Sequence, residues 1–340
     1  MRLVRGGLLL PFLLNCSDHS YSRATAEEEF YQAPVNTVDI LWITDNSPSM
    51  EDEQASLAAG AQNFIDRLLT INIDFHMGVI STDISTQNPD AGALLGTPAV
   101  LDATVPDYVH LFQERVKVGT GGDDQEKGLQ AAITALTAPK IDVENAGFLR
   151  EEALLFIAVV SDENDCSDWG ELGPESTGDD CYSRDEQLTP VSNLVHSISG
   201  IKDEASMVIL SGIIGPDADQ GCADAVPGKR YSTAIDKLGG FEGSICETDY
   251  SVMMDALGDI ASGMRDAFPL EYVPDPSTIE VTVEPVGGVE AAVSEDATNG
   301  WTYNEDPTAP QILFHGAALP PRGAKIVVDY TIAGEIDDAG

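Results

Sequence analysis

The chain has 340 residues, room for about two domains and a real core, and its 43% hydrophobic and 6% aromatic content is that of a globular protein rather than a disordered or multispanning one. Asp and Glu number 58 against 17 Lys and Arg, so the formal charge is 17 − 58 = −41, a surface that repels nucleic-acid phosphates and anionic lipid headgroups. Such an acid load favours divalent cations, or a salty exterior where screening removes the self-repulsion, although most of these carboxylates need be no more than solvated surface.

At the N-terminus Arg2 and Arg5 precede the apolar run Leu8 to Leu14, which then meets Asn15 and Cys16. The run is too short to span a bilayer and reads as an export signal over residues 1–16. Leu13-Leu14-Asn15-Cys16 resembles a bacterial lipobox, whose cysteine carries lipid after cleavage, with Asn15 standing where a small residue is usual. The competing reading is a plain secretory signal in which Cys16 is incidental. Residues 17–36, rich in Ser, Ala, Glu and Tyr, are expected to form a linker.

From residue 37 buried-strand runs alternate with helical periodicity. Thr37 to Thr44 is an apolar strand ending at Asp45, and Leu57, Ala61, Phe64, Ile65 and Leu68 recur at helix spacing. Ile73 to Ile80 reads as a second strand and Tyr108 to Val118 as a third, followed by a helix with Leu129, Ala132, Ile133 and Leu136 on one face. Ala153 to Val160 is the most apolar strand and should be central, ending at Ser161 and Asp162. A helix at Val191 to Ile198, a strand at Met207 to Ile214 and a last helix carrying Met253, Leu257, Ile260, Met264 and Phe268 complete the series. The alternation predicts an α/β fold with a doubly wound, mostly parallel sheet over residues 37–268. Beyond Pro274 the period changes to two, at Ile279, Val281 and Val283 and again at Ile326, Val328, Tyr330 and Ile332. A small C-terminal all-β module over 269–336 is expected.

Besides Cys16 the chain holds Cys166, Cys181, Cys222 and Cys246, an even number in a chain expected to be exported. Pairing 166 with 181 and 222 with 246 is favoured, because each closes a short local loop. The scattered spacing, with no CxxC, argues against zinc.

In an open α/β sheet ligands sit outside the carboxyl ends of the strands. There the first strand presents Asp45, Ser47 and Ser49, the central strand presents Asp162 with Glu163 and Asp165 beside it, and the expected third strand leads into Gly119-Thr120-Gly121-Gly122-Asp123-Asp124. Carboxylate and hydroxyl oxygens of this kind suit Mg²⁺ or Ca²⁺, and also Mn²⁺, rather than zinc or copper.

Asp45-x-Ser47-x-Ser49 after an apolar strand, the Thr/Gly/Asp loop before a helix, and Asp162 ending the central strand together resemble the von Willebrand factor type A (vWA) domain and its metal ion-dependent adhesion site. The likeness covers about residues 37–268, and Val159 to Cys166 is similar to exported bacterial members. It implies that Asp45, Ser47, Ser49 and Asp162 hold one ion, with Thr120 first and Asp123 as substitute from the second loop, leaving a coordination position for an acidic residue of a protein partner. The implied function is an exported, lipid-anchored adhesion-type domain without turnover.

Other readings compete with this one. Ser47 and Ser49 would serve equally as helix caps ahead of Glu51, Asp52 and Glu53. Asp162 would serve in an Asx turn, and Asp165, Asp168, Asp179 and Asp180 read as solvated loop carboxylates. Asp165-x-Ser167-x-Trp169-Gly170 starts like an EF-hand loop but has Ser176 at the closing position, which rejects it. GxSxG, HExxH and GxxxxGK[ST] are missing, and the histidines show no ligand spacing. The rival classes are a metal-dependent hydrolase with Glu163 or Asp165 as base, and a structural envelope protein whose ion only stabilises loops.

Overall fold

A computed structural model describes residues 23–336, apart from 33–35, 71–72, 86, 174, 218–221, 223–224, 263–265, 305, 307–308 and 322. The expected export signal, Cys16, the first part of the linker and Met264 lie outside the described residues. Twelve strands appear among them: β1 (Arg23–Tyr31), β2 (Thr37–Thr44), β3 (Asp74–Ser81), β4 (Leu154–Ser161), β5 (Val208–Ile214), β6 (Glu242–Ser244), β7 (Ala267–Pro269), β8 (Glu280–Glu284), β9 (Ala291–Val293), β10 (Trp301–Asn304), β11 (Gln311–Phe314) and β12 (Lys325–Ile336). The helices are α1 (Glu51–Thr70), α2 (Tyr108–Arg115), α3 (Gly128–Leu136), α4 (Asp180–Ser183), α5 (Val191–Ser199), α6 (Lys229–Leu238) and α7 (Ser251–Ala261). Among the described residues no helix is long and apolar enough to cross a membrane.

Five strands form a parallel sheet in the order β3-β2-β4-β5-β6. Both of its faces are buried, because successive side chains of β2 and β4 point to opposite sides and, Asp39 apart, the large ones are apolar. On one face Ile40, Trp42 and Phe156 pack with Phe64 of α1, Phe112 of α2 and Leu257 of α7. On the other Leu41, Ile43 and Ile157 pack with Ile133 of α3, Ile198 of α5 and Ile235 of α6. The expected doubly wound sheet flanked by helices is therefore present. The chain leaves β2 for β3 on one side and returns to β4 on the other, so its topological switch point lies between the carboxyl ends of β2 and β4.

Three expectations are corrected. Tyr108 to Val118 forms helix α2 rather than a strand, because Tyr108, Phe112 and Val116 recur every four residues and Phe112 and Val116 turn that face inward. Phe268 belongs not to the last helix but to β7, where it stacks edge-on against Phe314 and joins the β module's core. Residues 23–31, expected in the linker, form β1 and pair antiparallel with β12. Ala26 and Phe30 of β1 pack on the module's core, and Phe30 meets Phe268 at a ring-centroid distance of 5.5 Å. The β module is thus built from both ends of the described chain, as a four-stranded sheet β1-β12-β8-β9 and a three-stranded sheet β10-β11-β7.

Candidate functional site

Asp45 is the first residue beyond β2 and is fully buried. Its backbone N–H donates to the Val160 carbonyl of β4 at 2.9 Å, which brings the two strand ends side by side. Its side chain shapes the turn that follows: Oδ1 accepts the Ser47 backbone N–H at 2.7 Å, and Oδ2 accepts the Ser161 hydroxyl at 2.6 Å. Ser47 makes no capping hydrogen bond to the short turn Pro48–Met50. Its Oγ instead lies 3.0 Å from Ser49 Oγ. The helix-capping reading therefore does not account for Ser47. Glu51, Asp52 and Glu53 occupy the first turn of α1, where negative charge complements the helix dipole.

The loop after β4 carries Asp162, which is buried, and Glu163, which is half-buried. This loop is anchored on two sides. The Asp162 carbonyl accepts the Val226 N–H at 2.8 Å, and Asn164 Oδ1 accepts Arg230 N–H at the start of α6 at 2.9 Å. Helix α3 has no side-chain cap from its own N-cap residue, Lys127. Its free N–H groups are satisfied from α6 and the β4 loop: the Tyr231 hydroxyl accepts Gly128 N–H at 3.1 Å, Asp165 Oδ1 accepts Leu129 N–H at 3.1 Å and Ser167 Oγ accepts Gln130 N–H at 3.0 Å. Asp165 also pairs with the Arg230 guanidinium at 3.1 Å, and Asp168 with Lys127 Nζ at 2.7 Å. Both carboxylates are buried, which corrects the expectation that they are solvated. A buried carboxylate needs such partners, and each had one elsewhere in the sequence. Cys166 and Cys181 are bridged, as are Cys222 and Cys246, in the expected pairing. The first bridge closes a small separate core with Leu172 and Leu188.

The second loop departs from expectation. Thr120 is exposed. Asp123 is half-buried, with Oδ1 accepting Gln125 N–H at 3.0 Å, and the neighbouring charges it feels most are Asp83, Asp124 and Lys127 rather than Asp45 or Asp162. The acid brought to Asp45 is Glu126, only 1% exposed, whose Oε2 accepts the Thr82 hydroxyl. Spacing hid it, because counting back from Gly128 and Leu129 lands on Asp123. The remaining support comes from Gln54 of α1, whose Nε2 donates to the Asp45 carbonyl at 2.8 Å and to the Gly119 carbonyl at 2.7 Å. Gly122 N–H donates to the Asn46 carbonyl at 2.9 Å, and a Cβ there would lie 2.3 Å from Asn46 Oδ1, so a larger residue would have to displace the Asn46 amide.

The electrostatics are those of crowded, buried acids. Burial pushes Asp45 up, with the Ser161 and Ser47 bonds pulling back. Burial, then the charge of Asp45, pushes Glu126 well above the usual carboxylate range. Glu163 is pushed up to about 7 by burial and then by the charges of Asp45, Asp162 and Asp124.

Whether this set suits a hard cation is a question of donors. Among the described residues no group of three or more His, Cys, Asp or Glu stands arranged to hold a metal ion. The set here mixes Asp45 and Asp162 with the hydroxyls of Ser47 and Ser49, and Glu126 Oε1 is buried with no hydrogen-bond partner. A buried carboxylate oxygen without a donor, beside a second buried carboxylate, is relieved by a cation, and oxygen donors of this kind fit Mg²⁺ or Ca²⁺. Beside Asp162 opens a groove of about 730 Å³, bordered by Asp52, Glu53, Glu247, Asp249 and Tyr250.

No protein-family model matches the chain, and no curated protein matches it. Among solved structures, a pilus adhesin, SpaC, from Lactobacillus rhamnosus GG overlaps with a TM-score of 0.41 at 13% identity, covering 93% of this chain and 41% of that one. The pilus adhesin RrgA from Streptococcus pneumoniae overlaps at 0.35 and 10% identity, over 92% of this chain and 58% of that one. Proximal thread matrix protein 1 from the mussel byssus gives 0.36 and 11%, over 72% and 52%. The chain thus spans only part of each, and overlaps this loose carry no argument about what it does.

Proposed function

We propose that the chain is an exported binding domain of the vWA kind, which holds one Mg²⁺ or Ca²⁺ at the ends of β2 and β4 and through it grips a carboxylate of a protein partner. The observation that supports this most is the position of Asp45, bonded to Ser47, just beyond β2 and of Asp162 just beyond the neighbouring β4, on either side of the switch point of a doubly wound sheet. When bound, the ion would supply the positive charge that this crevice lacks. Asp45 and Asp162 would hold it, Ser47 and Ser49 would present their hydroxyls, and Ser161 and Gln54 would keep Asp45 in place. A partner carboxylate entering past Asp52, Glu53, Glu247 and Asp249 would meet repulsion on every side but that of the ion, so affinity should require the metal. Two disulfides fit an oxidising compartment and hence export. Lipid anchoring at Cys16 rests on the sequence alone. The experiment is capture of the partner from envelope extracts in Mg²⁺ and in EDTA, with Asp45→Ala as control. Equal capture in EDTA would end the adhesion mechanism and turn attention to the β module.

One observation favours the hydrolase reading. Glu163, pushed up to about 7 beside the same acids, has the ionisation of a general base at neutral pH. Asp165 is removed from that role, since Arg230 and the start of α3 occupy its oxygens. Cation-dependent hydrolysis of ester or phosphoester substrates that is lost in Glu163→Gln would establish this reading in place of adhesion.

A further inference from the structure

We propose that the cleft between the second loop and the β4 loop binds a neutral saccharide, whose ring stacks on Trp169 and whose adjacent hydroxyls bond Gln125 and Gln130. Asp45, Ser47, Ser49 and Asp162 do not line this cleft, so the proposal is independent of the cation reading.

Trp169 is 53% exposed and has a φ of 52°, in the left-handed region that a bulky residue seldom adopts. Such a conformation persists only where the surroundings impose it. Here the N–H groups of Asp168 and Trp169 both donate to Gln130 Oε1, at 3.1 and 3.0 Å, while Asp168 accepts Lys127 Nζ at 2.7 Å and Leu172 N–H at 2.9 Å. The Cys166–Cys181 bridge closes the same loop. Of the chain's three tryptophans, Trp42 and Trp301 are buried, and only Trp169 is held out in solvent.

The cleft it borders has a volume of about 380 Å³, in the range of small-ligand sites. Two amides line it, Gln125 at 7% exposure and Gln130 at 8%. The groups they already hold fix which way each amide faces. Gln130 Oε1 is taken by the two backbone N–H groups, which leaves Nε2 as a donor. Gln125 Nε2 donates at 2.7 Å to Ser176 Oγ, which itself donates to the Gly173 carbonyl, and this leaves Gln125 Oε1 as an acceptor. A donor and an acceptor in one cleft suit a pair of adjacent sugar hydroxyls, each of which both donates and accepts. Ile84 and the indole supply apolar surface for the C–H face of a pyranose ring. Lys127 and Asp123 line the cleft as well, so Lys127 opposes a cationic ligand and Asp123 an anionic one. A neutral polyol meets neither repulsion.

The probe is an array of immobilised neutral oligosaccharides built from hexoses and N-acetylhexosamines. Each retained sugar is then titrated against acrylamide quenching of tryptophan fluorescence, which reports on Trp169 because the other two indoles are buried. At least one sugar should be retained and should protect Trp169 at saturation. Trp169→Ala should weaken retention at least about tenfold through loss of the stacking surface. Gln130→Glu keeps the acceptor that holds the loop but removes the donor, and should weaken it about tenfold. If Trp169→Ala does not fold by circular dichroism, Trp169→Gly, which suits the positive φ, is the variant to read. Retention should be unchanged in Asp45→Ala and in EDTA, so failure of the cation site leaves this one standing. Retention of no sugar, or retention equal to wild type in folded Trp169 and Gln130 variants, would overturn the proposal. Retention that is lost in EDTA would place the sugar on an ion and overturn it equally.

Discussion

Ser161 Oγ donates to Asp45 Oδ2 at 2.6 Å, joining the last residue of β4 to the first residue beyond β2. The same hydroxyl oxygen accepts Glu163 N–H at 3.1 Å, so one serine sets both the Asp45 carboxylate and the start of the β4 loop. Ser161→Ala should lower stability by about 1–3 kcal/mol, since it strands a buried carboxylate oxygen. Urea unfolding in EDTA checks this, and unchanged stability would mean that Asp45 is oriented by its backbone alone.

Asp39 sits at the opposite end of the sheet and provides a control. It is fully buried, accepts Arg150 Nε at 2.7 Å and Arg150 N–H at 2.6 Å, and lies 3.8 Å from Lys202 Nζ. Removing it leaves two cations in a partly buried setting, so Asp39→Ala should cost about 3–5 kcal/mol. Cation affinity per folded molecule should not change. A joint loss of stability and cation binding would show that the two ends of the sheet are coupled.

The pH dependence follows from Glu163. With no ion present its carboxyl is pushed up from its ordinary 4.5 to about 7, by burial first and then by Asp45, Asp162 and Asp124. A raised carboxyl binds its proton more tightly in the folded state, so its contribution to stability is greatest at low pH and is lost as pH rises toward 7. A cation reverses that preference, because it stabilises the ionised form. Apparent cation affinity should therefore increase between about pH 5.5 and pH 8, with proton release visible as a buffer-dependent binding enthalpy below about pH 7. Affinity that is flat across this range would separate Glu163 from the cation site.

The Cys166–Cys181 bridge spans 15 residues of the loop that follows Asp162. Replacing both cysteines by serine should cost about 3 kcal/mol by the loop-closure argument. Alkylation without reductant, followed by mass spectrometry, should label none of Cys166, Cys181, Cys222 and Cys246. Labelling of any of them would count against a chain that matures in an oxidising compartment.

How much of this was legible in the sequence depended on whether a segment's burial was written in its own residues. Ile40 to Ile43 and Leu154 to Val160 are apolar on both faces, so their place in the middle of a parallel sheet followed, and with it the place of Asp45 and Asp162 just beyond the strand ends. β1 was hidden because Glu27, Glu28 and Glu29 break its alternation. Glu28 nevertheless leans inward, accepting Glu271 N–H at 3.0 Å and the Tyr330 hydroxyl, neither of which is near it in sequence. β6 is three residues long with no apolar run to mark it. Asp165 and Asp168 looked solvated because their partners, Arg230 and Lys127, lie 65 and 41 residues away. Glu126 sits between Gln125 and Lys127 in a polar stretch, and only the packing of the loop against Thr82 and Cys166 reveals it as buried.

The central claim is that Asp45 and Asp162 form one divalent-cation site at the switch point. It is tested most directly by calorimetric titration of Mg²⁺ and Ca²⁺ into wild type, Asp45→Ala and Asp162→Ala, each shown to be folded by circular dichroism. The account expects one ion per wild-type chain and a loss of at least about tenfold in affinity in each variant, because each removes a charged ligand from a set of hard oxygens. Cation binding by both variants with wild-type affinity and stoichiometry would contradict it.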